Sequence, residues 1–205
     1  MPPTSPTQHS VEAFLQRFPE LRGKRIWTFL GRIHPKKGLD LLLKAFRKVN
    51  AEHTNIHLLV AGPGDLSYVS SMRRLASNAG ISPSVTFAGP LYDEDKWAAF
   101  KVSELFVLPS HQDNFSMAVA EALAMGVPVC ISDKVNIWRE ISSSNAGVVC
   151  ADDLPSLIGA LKRWSQYTGD ERLAFSKRAR ACFEAHFRVE QMAKKLFERI
   201  SEDVS

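Results

Sequence analysis

The sequence predicts an α/β fold, a Rossmann-like doubly wound parallel sheet of about six strands with helices on both faces. Three observations carry this. Short apolar runs recur along the 205-residue chain, most of them continuously apolar, as strands covered on both faces are. Between them, apolar residues repeat at helical spacing. Several of the runs end in Gly or Ser, where ligands bind in sheets of this kind.

Taken in order, the expected strands are 25–31 (RIWTFLG), 56–62 (IHLLVAG), 84–89 (SVTFAG), 105–110 (LFVLPS), 128–132 (PVCIS) and 146–150 (AGVVC). Leu39, Leu42, Leu43, Phe46 and Val49 mark a helix after the first strand, and Leu154, Leu157, Ile158 and Leu161 mark another late in the chain. Strands alternating with helices are the signature of βαβ units. From about residue 153 the chain reads as helical to its end, with Val189, Met192, Ala193, Leu196 and Ile200 on one face of a last helix. Residues 1–10 are rich in Pro, Ser and Thr and read as a flexible lead or a linker stub, so one domain is expected over residues 11–205.

The composition, 45% hydrophobic and 23% charged, is that of a globular protein and excludes disordered and collagen-like classes. No stretch reaches the ~20 apolar residues of a membrane-spanning helix. Neither a charged start nor an apolar stretch marks a secretory signal at the N-terminus. Cys130, Cys150 and Cys182 cannot all pair, and they read as buried thiols of a reducing cytosol. A net charge of +4 with a pI near 9.0 suits phosphate-bearing ligands but is too dispersed for a nucleic-acid surface.

Two constellations could carry chemistry. Gly31-Arg32-Ile33-His34-Pro35-Lys36-Lys37-Gly38 joins the first strand to its helix. Cations just ahead of a helix N-terminus run against the macrodipole and make sense where an anion is held. The plainer possibility is a solvated loop balanced by Asp40. The second run, Asp113-Asn114-Phe115-Ser116-Met117-Ala118-Val119-Ala120-Glu121, follows the fourth strand and opens a helix. Its first-turn amides could bind phosphate or sugar hydroxyls, and its two carboxylates could grip vicinal hydroxyls. Alternatively, Asp113 or Asn114 caps the helix and Glu121 is a surface residue. The turn Gly62-Pro63-Gly64-Asp65 lacks the third glycine of a dinucleotide fingerprint, which argues against a nicotinamide enzyme. The six histidines are scattered without metal-ligand spacing, so no metal site is expected.

Together these pieces resemble the donor-binding domain of the retaining glycosyltransferases of family four. Gly31-Arg32 and Lys37-Gly38 match the family's Gly-Arg, four residues, Lys-Gly. Leu108-Pro109-Ser110, then Asp113 to Glu121, then Ala124-Met125-Gly126-Val127-Pro128-Val129 match its Pro-Ser, Glu-seven residues-Glu and Ala-Met-Gly-x-Pro-Val, with Val85 to Gly89 as the strand between. The match covers about residues 22–165.

The resemblance implies the C-terminal half of a two-Rossmann-domain enzyme that moves a hexose from a nucleotide diphosphate sugar to a saccharide or lipid-linked acceptor. Arg32 and Lys37, next to Gly31, would neutralise the leaving diphosphate, and Asp113 with the amides of Asn114, Phe115 and Ser116 would hold the hexose. Amides near Met117 and Ala118 would meet the phosphates, and Glu121 would take the ribose. The segment Phe87–Leu91, with Phe87, Gly89 and Leu91, would frame the base beside Gly62. No cofactor or metal is implied beyond the donor itself. The implied partners are the acceptor and an N-terminal acceptor domain, because the chain begins near the expected inter-domain linker. It is expected to be a fragment of a longer enzyme or a subunit that needs a partner. A cytoplasmic location is implied, with peripheral attachment at the inner membrane face an option for the longer protein. Polysaccharide or glycolipid synthesis is typical of the family.

Two positions depart from the pattern. Asp113 stands for the first glutamate, one methylene shorter, and Ser116 stands for a glycine, placing a side chain close to the sugar. They leave room for a rival from another class, a non-catalytic nucleotide-sugar-binding module. A sugar-nucleotide epimerase ranks lower, because its acid/base groups would have to come from the absent half.

Overall fold

The computed structural model describes residues 6–188 and Gln191. The first helix, α1 (Gln8–Arg17), starts where the Thr7 hydroxyl accepts the Ser10 amide at 3.1 Å, a side-chain N-cap. Residues 8–10, placed by composition in the flexible lead, are therefore the first turn of a helix. The hydroxyl cap outweighs the loop bias of a Pro/Ser/Thr-rich segment. The apolar face of the expected last helix (Val189, Met192, Ala193, Leu196 and Ile200) lies outside the described residues.

Six strands follow: β1 (Arg25–Leu30), β2 (Ile56–Ala61), β3 (Val85–Gly89), β4 (Ser103–Leu108), β5 (Val129–Ser132) and β6 (Gly147–Cys150). They interleave with α2 (Leu39–Asn50), α3 (Leu66–Asn78), α4 (Asp93–Val102), α5 (Met117–Ala124) and α6 (Trp138–Ser143), and α7 (Leu154–Gln166) and α8 (Gly169–His186) close the chain. Pairing is parallel throughout, in the order β3-β2-β1-β4-β5-β6. The fold class is the one the sequence predicts. β4 is shifted, beginning at Ser103 because the Ser103 hydroxyl already bonds to Thr28 of β1, and ending before Pro109, which has no N–H for a ladder.

Packing explains the rest. α2 buries Leu39, Leu42, Leu43, Ala45, Phe46 and Val49 along one stripe against the sheet, and β2 is buried at every position. Each buried Leu, Ile, Val or Phe among them contributes about 1.5–3 kcal/mol. Trp27 of β1 meets Phe46 edge-on at 6.1 Å, tying α2 to the central strand. A smaller core of Phe14, Leu21, Ile26, Leu59 and Leu91, with neighbouring alanines, fastens α1 and α4 to the other face. α2 packs on α3 and α7, whereas α1 packs on α4, and α8 on α5 and α6. Cys130 and Cys150 lie buried on adjacent strands as thiols, and Cys182 is buried on α8.

Strand order places the chain's change of direction between β1 and β4. From β1 the chain winds outward through β2 to β3, then crosses back to β4 and winds the other way. The loops leaving β1 and β4 therefore diverge and open a crevice at the strands' C-terminal ends.

Candidate active site

The loop after β1 is held from both sides. Its Ile33 amide donates to the Pro63 carbonyl at 2.7 Å, and a Cβ on Gly62 would lie 1.9 Å from the Gly31 oxygen. The two strand ends touch through backbone, which only glycine at position 62 allows. On the other side, the Lys36 carbonyl accepts the His111 amide and the Ser110 hydroxyl, both at 2.8 Å. The His34 ring nitrogen accepts the Lys36 amide and shapes a short 3-10 turn, Pro35–Lys37. Gly38, at φ +68°, then starts α2 in a conformation that L side chains rarely adopt, and a Cβ there would meet the Pro109 oxygen at 2.0 Å. The glycine of the Lys-Gly pair is thus a steric requirement of bringing the β1 loop against the β4 loop.

Asp113 sits across this seam. Its backbone is fixed in a parallel bridge, donating to Lys134 and accepting from Asn136, both at 3.0 Å. Its carboxylate meets the Lys37 ammonium at 2.6 Å, with side-chain exposures of 10% and 21%. The helix-cap alternative for Asp113 and Asn114 is therefore overturned. Ser116 is the N-cap residue of α5, and its side chain makes no cap hydrogen bond. The first-turn amides at Met117 and Ala118, which have no intrahelical partner by geometry, stay available.

An open cleft of about 310 Å³ gathers Arg32, His34, Lys36, Lys37, Gln112, Asp113, Asn114 and Phe115. It sets three cations (Arg32, Lys36 and Lys37) against the single Asp113 carboxylate. Such a site binds an anion while offering one acceptor to a hydroxyl. Five of the residues singled out in the sequence meet here: Arg32, Lys37, Asp113, Asn114 and Phe115. Ser116 is buried and is not among the residues that line the cleft.

The other expected residues extend outward from the cleft. Glu121 sits on α5, and its carboxylate is paired with Lys96 of α4 at 2.7 Å. It is a paired, largely buried group, whereas one alternative foresaw a surface residue. Phe87 and Gly89 end the edge strand β3, where the Arg73 guanidinium stacks 4.7 Å above the Phe87 ring and donates to the Phe87 carbonyl. Leu91 turns its side chain into the smaller core, so it can offer a ligand only backbone, and Gly62 is buried beneath Gly31. Gln112 and Lys96 were missed, and His34 and Lys36 were read only as part of the 31–38 run. Only the tertiary contacts reveal Gln112 and Lys96, because neither belongs to a recognisable spacing. Among the described residues, no group of three His, Cys, Asp or Glu side chains could hold a metal ion. No helix among them is long and apolar enough to cross a membrane.

The fold and this crevice define a Rossmann-like domain with a cationic cleft at its switch point. The chain belongs to the glycosyl transferases group 1 family, whose model matches residues 11–181. A D-inositol 3-phosphate glycosyltransferase from Rhodococcus erythropolis is 30% identical over 132 residues, which is 62% of this chain and 30% of that protein. This chain thus spans well under half the length of that relative. Among solved structures, the C-terminal domain of a group 1 glycosyl transferase from Francisella tularensis superposes with a TM-score of 0.76 at 15% identity, covering 90% of this chain and 95% of that one. An Anabaena protein crystallised with UDP and glucose gives 0.79 at 16% identity over 96% of this chain and 53% of its own. These structural likenesses speak to the fold alone.

Proposed function

We propose that this chain is the donor-binding domain of a retaining glycosyltransferase, one that transfers a hexose from a nucleotide diphosphate sugar to a saccharide or lipid-linked acceptor. The observation that supports it best is the Lys37–Asp113 pair, set in a cationic cleft beside the uncapped start of α5. In the unliganded site the two charges satisfy each other. An incoming nucleotide sugar replaces both halves of that bond, its phosphate taking Lys37 and a sugar hydroxyl taking Asp113. A bare nucleoside diphosphate replaces only one. The ion pair thus favours the intact donor over its product.

In this reading Arg32 and Lys37 stabilise the diphosphate as it gains charge on leaving, which lowers the barrier directly. The amides of Met117 and Ala118 add the helix N-terminal field. Those of Asn114, Phe115 and Ser116 orient the hexose with Asp113. Glu121 takes the ribose hydroxyls, and backbone around Phe87, Gly89 and Leu91 frames the base. Two cations and a helix terminus supply the charge that a divalent metal would otherwise provide, so binding is expected to be metal-independent. The acceptor site belongs to a preceding domain, as in the two-domain enzymes that the sequence resembles.

Calorimetric titration with UDP, GDP and ADP in the presence of EDTA tests the site. Arg32→Ala is expected to weaken the tightest of them about tenfold or more, since a charge-assisted contact is worth about 1.5–3 kcal/mol. Unchanged affinity in that variant would remove the cleft from the donor site.

A further inference from the structure

We infer that Lys96 is a positioning residue for the nucleoside end of the donor site, acting through Glu121. The inference rests on the reading that Glu121 takes the ribose. Lys96 Nζ lies 2.7 Å from Glu121 Oε1, with side-chain exposures of 24% and 21%, so this pair is largely withdrawn from solvent. It joins two helices that sequence separates, α4 and α5, on the same face of the sheet.

The placement of Lys96 runs against local energetics. It follows directly on Asp93, Glu94 and Asp95 at the start of α4, where the macrodipole favours acids. Asp95 is engaged with Arg17 of α1 at 2.7 Å, and Lys96 reaches across to the neighbouring helix. Its ammonium also stands 4.5 Å from the centre of the Trp97 ring, which fixes the stem from the other side. The lysine is thus held in place, and it holds Glu121 in turn.

Both carboxylates of the donor site carry a lysine, but the two pairs differ. Lys37 lines the cleft and is released from Asp113 when a phosphate arrives. Lys96 does not line the cleft and stays on Glu121. A carboxylate has about four acceptor positions. With one occupied by Lys96, the others remain aimed for the ribose diol. The Glu121 side chain is then ordered before binding, and that cost does not fall on the ligand.

Lys96→Met keeps the stem over Trp97 and removes the charge. The probes are the nucleoside diphosphate that binds tightest among UDP, GDP and ADP, and its 2′,3′-dideoxy form. Lys96→Met is expected to weaken the ribonucleotide about five- to tenfold, as loss of one pre-ordered side chain implies, while the dideoxy form binds as before. Lys96→Arg restores the ribonucleotide affinity. Lys96→Met combined with Glu121→Gln is no weaker than Glu121→Gln alone, because the lysine has no other route to the ligand. Equal weakening of both probes would show a general structural role and overturn the inference, as would unchanged binding of the ribonucleotide. If Glu121→Gln itself fails to discriminate between the probes, the ribose assignment falls, and the Lys96 inference with it. A thermal melt of each variant confirms that binding is measured on folded protein.

Discussion

At the scale of single residues, the candidate site is built from charges that compensate each other. Asp113 is the sharpest case. Asp113→Asn keeps the size, removes the charge and releases Lys37. It should weaken the intact nucleotide sugar about tenfold, the loss of one charge-assisted hydrogen bond, while the bare nucleoside diphosphate binds as well or better. Calorimetry with the two ligands checks this, and equal loss for both would refute the sugar assignment. A second residue, at the opposite end of the sheet, is purely structural. Glu104 at the start of β4 receives two hydrogen bonds from Arg25 (2.7 and 2.8 Å) and one from the Trp164 indole at 2.9 Å, with Arg172 at 3.4 Å. Burial pushes its carboxyl up, but the Arg25 bonds and charge, the indole and Arg172 together hold it below the ordinary carboxylate value. A depressed pKa means stability that is present above the unfolded value, near 4.5, and lost as pH falls through the folded value. Glu104→Gln should therefore cost about 1.5–3 kcal/mol at pH 7, and the gap to the wild type should close below about pH 4.5. Urea melts at pH 7 and pH 3.5 measure it, and a gap that is the same at both would show that the charge is not involved.

At the scale of elements, two loops and one helix terminus make the cleft, and their alignment rests on close backbone approach. Gly38 is the hinge of that alignment. Gly38→Ala forces a Cβ into the Pro109 oxygen in a left-handed conformation, so strain of about 1–3 kcal/mol is expected together with displacement of the Lys37 loop. The variant should melt lower and bind nucleoside diphosphate markedly less tightly. A normal melt with normal affinity would mean that the two loops are not held by this contact. α5 is clasped at both ends by α8 and the residue after it. The Phe115 ring meets Phe187 edge-on at 6.2 Å, and Ser176 and Arg180 donate to the Gly126 and Ala124 carbonyls. None of this was legible in the sequence, because α8 carries its contacts as scattered side chains and not as one apolar stripe.

At the scale of the whole molecule, the proposed function gives the domain one half of a bimolecular reaction. Holding an acceptor against the donor can supply ~7–11 kcal/mol of a transfer barrier, and in the proposed function that task belongs to another domain. The 205-residue chain on its own is therefore expected to bind donor but not to glycosylate added saccharide or lipid acceptors at typical enzyme rates. An assay with radiolabelled nucleotide sugar measures this, and acceptor-dependent turnover of about 1 per second or faster would show that the chain is catalytically self-sufficient. The sequence by itself determined the α/β class, the six strands and the two loops of the cleft, because continuous apolar runs, helical stripes and glycine placements are local signals set by burial and backbone sterics. It also set Arg32, Lys37 and Asp113 apart as chemistry-bearing residues. Only the tertiary structure decided that Lys37 and Asp113 are partners, that Ser116 is buried, that Leu91 belongs to the core, and that Lys96 pairs with Glu121. Those facts depend on which loops and helices the strand order brings together. A contact between residues 76 or 25 positions apart is set by packing and leaves no local pattern along the chain.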